Sequence, residues 1–408
     1  MSNEHSVSLR RILIIGSGIA GLSAAKAARA QDPEAKITIF GEEHRLPYYR
    51  LRLCEYIGKI VDYNELDISH EEWFDNNRIQ LELSSKVIEI DTKGKKINTT
   101  DKQYSYDSLV LATGSTPIIP PFKGKELLGV HTIWTLEDLT GINKNIVDAK
   151  KVVVIGGGLL GLETAHKISE MGIDVSLIEG MPRLLPKQLD EGGSEIFRDK
   201  VQSLGITVYC GKSVAGFEGD HNGRITQVHM DDGTFLEADV VIVAVGVAPN
   251  TKIFQDSGIS MNRFIDVNEN METSIEDIYA AGDVASLSGR WFGQWTVALK
   301  QGQVAGTNAA GGNAHYKTTD TPYILTTMGT RVVCLGDIGI IQSENSVAGY
   351  EIDQRIDKEE FSYSKLVFHN ELFVGYILVG NPAKAFTKLQ TLINTNATAK
   401  NINDILYS

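Results

Sequence analysis

The sequence predicts an α/β fold with parallel sheets, made of two similar halves and a smaller C-terminal domain. Three observations lead there. Gly16-Ser17-Gly18-Ile19-Ala20-Gly21 follows the apolar run Arg11–Ile15 and opens a helical pattern of small residues. Gly156-Gly157-Gly158-Leu159-Leu160-Gly161 follows Lys151–Ile155 in the same way. After about Tyr316 the texture becomes apolar–polar alternation, which suits antiparallel strands with one wet face.

The elements follow in order. Arg11–Ile15 reads as a buried parallel strand, residues 21–30 as a helix with Leu22, Ala24, Ala25, Ala27 and Ala28 against the sheet, and Lys36–Phe40 as the next strand. Lys151–Ile155, residues 161–171 and residues 174–178 repeat that β-α-β unit, the one internal repeat. Further strands are expected at 79–83, 87–91, 95–99 and 108–112, then at 207–209, 225–230 and 240–245. Asp232-Gly233 signals a hairpin turn. Ile278-Tyr279-Ala280 reads as a short strand and residues 295–310 as a helix. Residues 322–380 alternate, as in Lys365-Leu366-Val367-Phe368, and helices are expected at 382–393 and 402–406.

At 408 residues the chain is long enough for more than one domain. A composition of 42% hydrophobic and 22% charged residues is that of a globular protein. The net charge of −13 argues against a nucleic-acid partner, which requires a basic face, and fits an anionic membrane poorly. The longest apolar run, residues 240–248, is about half a membrane span. Residues 1–11 are polar, and the apolar run after them is too short for a signal-peptide core. Three scattered cysteines, Cys54, Cys210 and Cys334, form no disulfide scaffold and favour a cytoplasmic setting. None of the nine histidines has metal-ligand spacing, so no metal site is expected.

Each glycine triplet has a physical role. The first glycine allows the tight turn, the second lets backbone approach a pyrophosphate, and the third permits close helix–strand packing. The helix start then offers free N–H groups and roughly half a positive charge to the phosphates. Two copies imply two dinucleotides in one chain, and electrons passing between them. A carboxylate at the end of the second strand suits ribose hydroxyls: Glu42 or Glu43 in the first unit, Glu179 in the second. Glu179 would accept from a 2′-OH and repel a 2′-phosphate, so NADH is expected over NADPH. Arg183, four residues on, reads as a solvated surface cation.

Between the units lies Tyr106-Asp107-Ser108-Leu109-Val110-Leu111-Ala112-Thr113-Gly114-Ser115. Later come Ala244-Val245-Gly246-Val247-Ala248-Pro249-Asn250 and Thr273-Ser274-Ile275-Glu276-Asp277-Ile278-Tyr279-Ala280-Ala281-Gly282-Asp283. With the doubled fingerprint, these motifs resemble the class II pyridine nucleotide–disulfide oxidoreductase superfamily from about residue 10 to 312. The resemblance implies two Rossmann-like, three-layer ββα domains in the glutathione-reductase-like arrangement. A discontinuous FAD-binding domain would occupy 8–114 and 247–318, an NAD(P)H-binding domain 115–246, and the small C-terminal α+β domain 320–408.

Carried over residue by residue, the resemblance implies FAD on Gly16, Gly18, Ile19, Ala20 and Gly21, and NADH on Gly156, Gly158, Leu160 and Gly161. Thr113 and Gly114 match the crossover beside the FAD, and Asp283 the aspartate that binds the ribityl chain. Val87 matches the point where backbone meets adenine. Gly246 matches the motif that closes over the nicotinamide nucleotide. Glu163 matches a helix carboxylate near the nicotinamide and flavin, the candidate catalytic group; it reads equally as an N-terminal helix Glu favoured by the dipole. His166, one turn on, reads as a surface residue.

Disulfide-reducing members carry C-x-x-C or C-x-x-x-x-C, which this chain lacks. Oxidase-like members carry a single cysteine whose position here falls near Leu51. Cys54 lies about one helical turn away and reads as a small helix residue. Leu46-Pro47-Tyr48-Tyr49-Arg50-Leu51-Arg52-Leu53 instead resembles NADH:rubredoxin reductases and the flavin domain of assimilatory nitrite reductases. Ferredoxin reductases usually carry lysine where this chain has Glu55. Arg50 matches a basic residue that contacts FAD. Trp295 matches a tryptophan that borders the flavin and reads alternatively as core packing; Trp291 matches nothing and reads as loop packing. The resemblance thus implies an FAD-dependent NADH oxidoreductase that delivers single electrons to a small rubredoxin-like carrier, as a monomer or homodimer. An NADH oxidase or diaphorase acting on O₂ or small acceptors, and a flavin-based redox sensor or assembly subunit, stay open. Arg50, Arg52 and Lys59 are candidates for a local basic patch facing an acidic carrier.

Overall fold

A computed structural model describes residues 9–317, 322–338 and 349–407. The chain divides into two units, one from residues 1–52, 61–116 and 247–318, the other from 53–60, 117–246 and 319–408.

The first unit is built on a parallel sheet in the spatial order Ile278–Ala280, Ser108–Leu111, Arg11–Ile15, Lys36–Phe40, Ile79–Glu82. Its central strands are apolar on both faces, as a doubly covered sheet requires: Ile12, Ile14, Leu109 and Val110 are fully buried. One face carries the helices Ile19–Gln31 and Trp295–Ala309. These two helices touch backbone to backbone. A Cβ at Gly302 would lie 2.2 Å from the Ala20 carbonyl oxygen, and one at Gly306 would lie 2.0 Å from that of Ala24. The antiparallel strands Val87–Asp91, Lys96–Thr99 and Gln103–Ser105 supply the third layer, with Val87, Ile90 and Ile97 in the same core.

The second unit repeats the plan. Its parallel sheet runs Thr207–Cys210, Asp174–Glu179, Lys151–Ile155, Val240–Val243, Val130–His131. The antiparallel strands Val214–Gly219, Ile225–Met230 and Phe235–Glu237 share a core with it. The Asp232-Gly233 turn joins the last two, with Gly233 at φ 85°. Both fingerprint helices start two residues earlier than expected, at Ile19 and Leu159, because Gly18 and Gly158 are their N-caps.

The C-terminal part of this unit is an antiparallel sheet ordered Tyr323–Thr327, Thr330–Gly336, Leu372–Val379, Ser362–His369, Tyr350–Asp357. The part of the expected alternation at 339–348 lies outside the described residues. The helices Phe386–Gln390 and Ala399–Leu406 share a core with one face. The second face is wet only in part: Tyr350–Asp357 is mostly exposed and Tyr323–Thr327 alternates, but the strand between is covered. Ser362–His369 is buried from Ser362 to Phe368, because the helix Glu191–Ser203 packs on it. Lys365 is only 6% exposed and pairs with Asp190 at 3.1 Å. The Tyr363 hydroxyl donates to the same carboxylate at 2.7 Å, and Asp190 also caps the helix through the Gly193 N–H at 3.0 Å. The helix expected at 382–393 is a 3₁₀ turn, Asn381–Ala385, followed by the short α-helix Phe386–Gln390.

Candidate functional site

The two fingerprints have nearly the same local geometry. Gly16 sits at φ 113° and Gly156 at φ 116°, left-handed values that favour glycine. A Cβ at Gly16 would lie 2.1 Å from the Ala112 carbonyl oxygen, and one at Gly156 would lie 2.3 Å from that of Ala244. Gly21 and Gly161 are tighter still, each 1.9 Å from the carbonyl oxygen of its own first glycine. Gly18 and Gly158 differ: a Cβ on either meets nothing within 4 Å. The outer glycines are therefore demanded by the fold, while the middle ones border open space. The helices that follow have no side-chain N-cap and no acid in the first turn. By contrast, Thr135 and Asp138 close a capping box on Leu136–Ile146, and Asp190 caps Glu191–Ser203. The uncapped N–H groups beside an open cradle fit a pyrophosphate at each site, with Ile19 and Ala20 opening one helix and Leu160 in the first turn of the other.

In the first unit, Glu42 is exposed and paired with Lys86. Glu43 accepts from the Tyr48 hydroxyl and from Arg50, both at 2.8 Å. Asp283 is half-buried; burial raises its pKa, while a 2.6 Å hydrogen bond from the Ser115 hydroxyl and the charge of Arg50 lower it. The Thr113 hydroxyl donates to the Asn250 carbonyl, and the Asn250 amide donates back to that of Thr113, both at 2.9 Å. Gly114, at φ 67°, borders open space. Val87 is buried opposite Thr99. Trp295 opens its helix and stacks on Tyr49, with centroids 5.8 Å apart and planes at 28°. Ser115, Asn250, Tyr49 and Gln301, whose side-chain carbonyl accepts the Gly282 N–H at 2.9 Å, were not singled out from sequence. Ser115, Asn250 and Tyr49 stand inside the motifs given above, the one signal that could have found them, and Gln301 follows Trp295 on the same helix.

In the second unit, Glu179 is held by two backbone donors, Gly157 at 2.6 Å and Met181 at 2.7 Å. This places a carboxylate at the mouth of the fingerprint with acceptor capacity to spare for a vicinal diol. Arg183 is not the solvated cation expected: it donates to the carbonyls of Leu189 at 3.1 Å and Pro186 at 3.3 Å. Gly246, at φ 108°, borders open space. Burial pushes the Glu163 carboxyl up to about 7; the nearby Glu55 charge adds to this, and Lys167 opposes it. His166 is not a surface residue. Its side chain is 15% exposed, and Nδ1 accepts the Met328 N–H at 3.1 Å beside the Thr327 hydroxyl at 3.2 Å. The turn before Thr330–Gly336 covers it, and burial pushes its pKa down.

Cys54 lies on the 3₁₀ helix Arg50–Tyr56 with its Sγ 3.6 Å from the Thr164 hydroxyl. Burial pushes this thiol up to about 12. Among the described residues there is no cluster of three or more potential metal ligands, and no helix long and apolar enough to cross a membrane.

A family model for pyridine nucleotide-disulphide oxidoreductases matches residues 10–302. The chain is 32% identical to the NAD(P)H nitrite reductase of Bacillus subtilis (strain 168) over 398 residues, 96% of this chain and 48% of that protein. It thus spans about half the length of that relative. It is 35% identical to the NADH-rubredoxin oxidoreductase of Clostridium acetobutylicum over 329 residues, 80% of this chain and 82% of that one. The crystal structure of NADH:rubredoxin oxidoreductase from Clostridium acetobutylicum superposes with a TM-score of 0.80 at 30% identity, over 97% of this chain and 100% of the other. The chain therefore belongs to the pyridine nucleotide-disulphide oxidoreductase family.

Proposed function

We propose that this chain oxidises NADH at the fingerprint of residues 156–161 and passes its electrons, through FAD held at residues 16–21, to a small one-electron carrier of the rubredoxin kind. Bound FAD supplies the step from a hydride to single electrons. The chain's own residues bind and orient. Gly158 and Glu179 would seat NADH; Gly18, Glu43, Arg50, Thr113 and Asp283 would seat FAD; Glu163 would stand by the nicotinamide.

The state of the thiols carries this reading. The unit with the first fingerprint contains no cysteine. Cys54 and Cys334 are buried, and burial pushes each up to about 12, so both stay protonated; burial raises Cys210 as well. A thiol relay needs a thiolate, and these surroundings oppose one. The electrons then leave the protein. The Tyr49–Trp295 stack supports that exit, because Tyr49 is 39% exposed beside a groove lined by Ile19, Leu22, Lys26 and Ile68.

A second reading keeps the same path with a nitrite-reducing partner as acceptor. Coverage favours it: the nitrite reductases of Bacillus subtilis and Escherichia coli match 96% and 97% of this chain. Anaerobic NADH turnover with purified rubredoxin, measured against O₂ alone, tests the first reading. A rubredoxin rate no higher than the oxygen background rules it out. Fast flavin reduction with no turnover on any acceptor points to a sensor.

A further inference from the structure

We infer that Trp291 is a positioning residue for the flavin: its indole N–H holds the turn that presents Asp283, and a stacked aromatic seat holds the indole. The inference rests on reading Asp283 as the ribityl ligand.

After the 3₁₀ turn Gly282–Val284, the strand Ala285–Leu287 reverses at Ser288-Gly289, at φ 51° and 74°. Leu287 and Arg290 close that reversal with paired backbone bonds of 3.1 and 2.9 Å. The returning chain brings Trp291 Nε1 to 3.1 Å from the Asp283 carbonyl oxygen. The turn's own backbone bond runs from Ala285 to Gly282, so the Asp283 carbonyl is held by the indole. The indole lies flat on Phe264, with centroids 5.5 Å apart and planes at 19°, and the Arg263 guanidinium covers the Phe264 ring at 5.4 Å. Gly293 belongs to the same seat. It sits at φ 59°, and a Cβ there would lie 2.4 Å from the indole ring.

Asp283 is thus gripped at two points, the carboxylate by Ser115 at 2.6 Å and the main chain by Trp291. Removing the indole donor leaves a carbonyl without its partner, and the turn relaxes to find another. The carboxylate moves with it.

The test is the rate of FAD release from the holoprotein on dilution, followed by the rise in free-flavin fluorescence. Trp291→Phe keeps the stack and removes the donor; release should speed up about five- to tenfold. Asp283→Asn should also speed release, and the double variant should be no faster than Asp283→Asn alone. Trp291→His, which retains a ring N–H, should fall back toward the wild-type rate. Wild-type release from Trp291→Phe, or effects that multiply in the double variant, overturn the proposal. Unchanged release from Asp283→Asn overturns the ribityl reading first, and the proposal with it. Should Trp291→Phe fail to fold, Phe264→Leu replaces it in the same cycle, with the same outcomes deciding.

Discussion

The Glu179 carboxylate reaches the backbone N–H of Gly157, 22 residues earlier, at 2.6 Å. Strand end and glycine turn are thereby fixed to one another, and the second oxygen is fixed by Met181 at 2.7 Å. A negative charge locked at the fingerprint mouth favours a ribose diol and opposes a phosphate. Glu179→Arg should shift the kcat/KM ratio toward NADPH by about one to two orders of magnitude. An unchanged ratio in steady-state assays with both coenzymes contradicts the assignment.

The glycines of the second fingerprint should separate fold from binding. Gly161→Ala forces a Cβ to 1.9 Å from the Gly156 carbonyl oxygen, and should cost about 3 kcal/mol or more in stability. Gly158→Ala meets no protein atom within 4 Å, so its melting temperature should stay near wild type while KM for NADH rises about tenfold. Equal melting of the two variants goes against this division.

Glu163 should give a pH signature. Its carboxyl is pushed up to about 7, so it ionises as pH rises through neutrality. A carboxylate beside a nicotinamide losing hydride stabilises the positive charge that develops there. NADH-dependent flavin reduction should therefore quicken from pH 6 to pH 8, and Glu163→Gln should flatten the profile. The stability sign runs the other way. The folded-state pKa lies above the unfolded value, so ionisation disfavours the fold progressively as pH rises from the ordinary carboxylate range through about 7. Glu163→Gln should melt higher than wild type at pH 8 and close to it at pH 4.

Cys54→Ser should leave NADH turnover within about twofold of wild type, because a thiol pushed up to about 12 is unreactive. Turnover lost with FAD retained would revive a thiol mechanism.

Both cradles and both parallel sheets were legible in the sequence, because backbone approach excludes every residue but glycine at fixed places and doubly buried strands admit few polar residues. Pairings across the chain were not. Ser115 meets Asp283 across 168 residues and Thr113 meets Asn250 across 137, and no local periodicity reports such partners. Lys365 misled for a different reason. A lysine in an alternating strand marks a wet face unless an acid waits for it, and Asp190 does so from another domain segment. His166 misled likewise, since the Thr327-Met328 turn covers it from far along the chain.

The first unit is closed by segments from its beginning and its end. The Arg10 guanidinium holds the Ala309 carbonyl across 299 residues, and Gly302 and Gly306 bring their helix onto the backbone of Ala20 and Ala24. During synthesis the parallel sheet of the second unit has all its strands once Val243 is made, whereas that of the first unit still lacks Ile278–Ala280 and its covering helix Trp295–Ala309. A nascent chain can therefore shape the cradle at residues 156–161 first. The first fingerprint to leave the ribosome is the second to become a binding site, and a chain cut before Trp295 should keep NADH and fail to retain FAD.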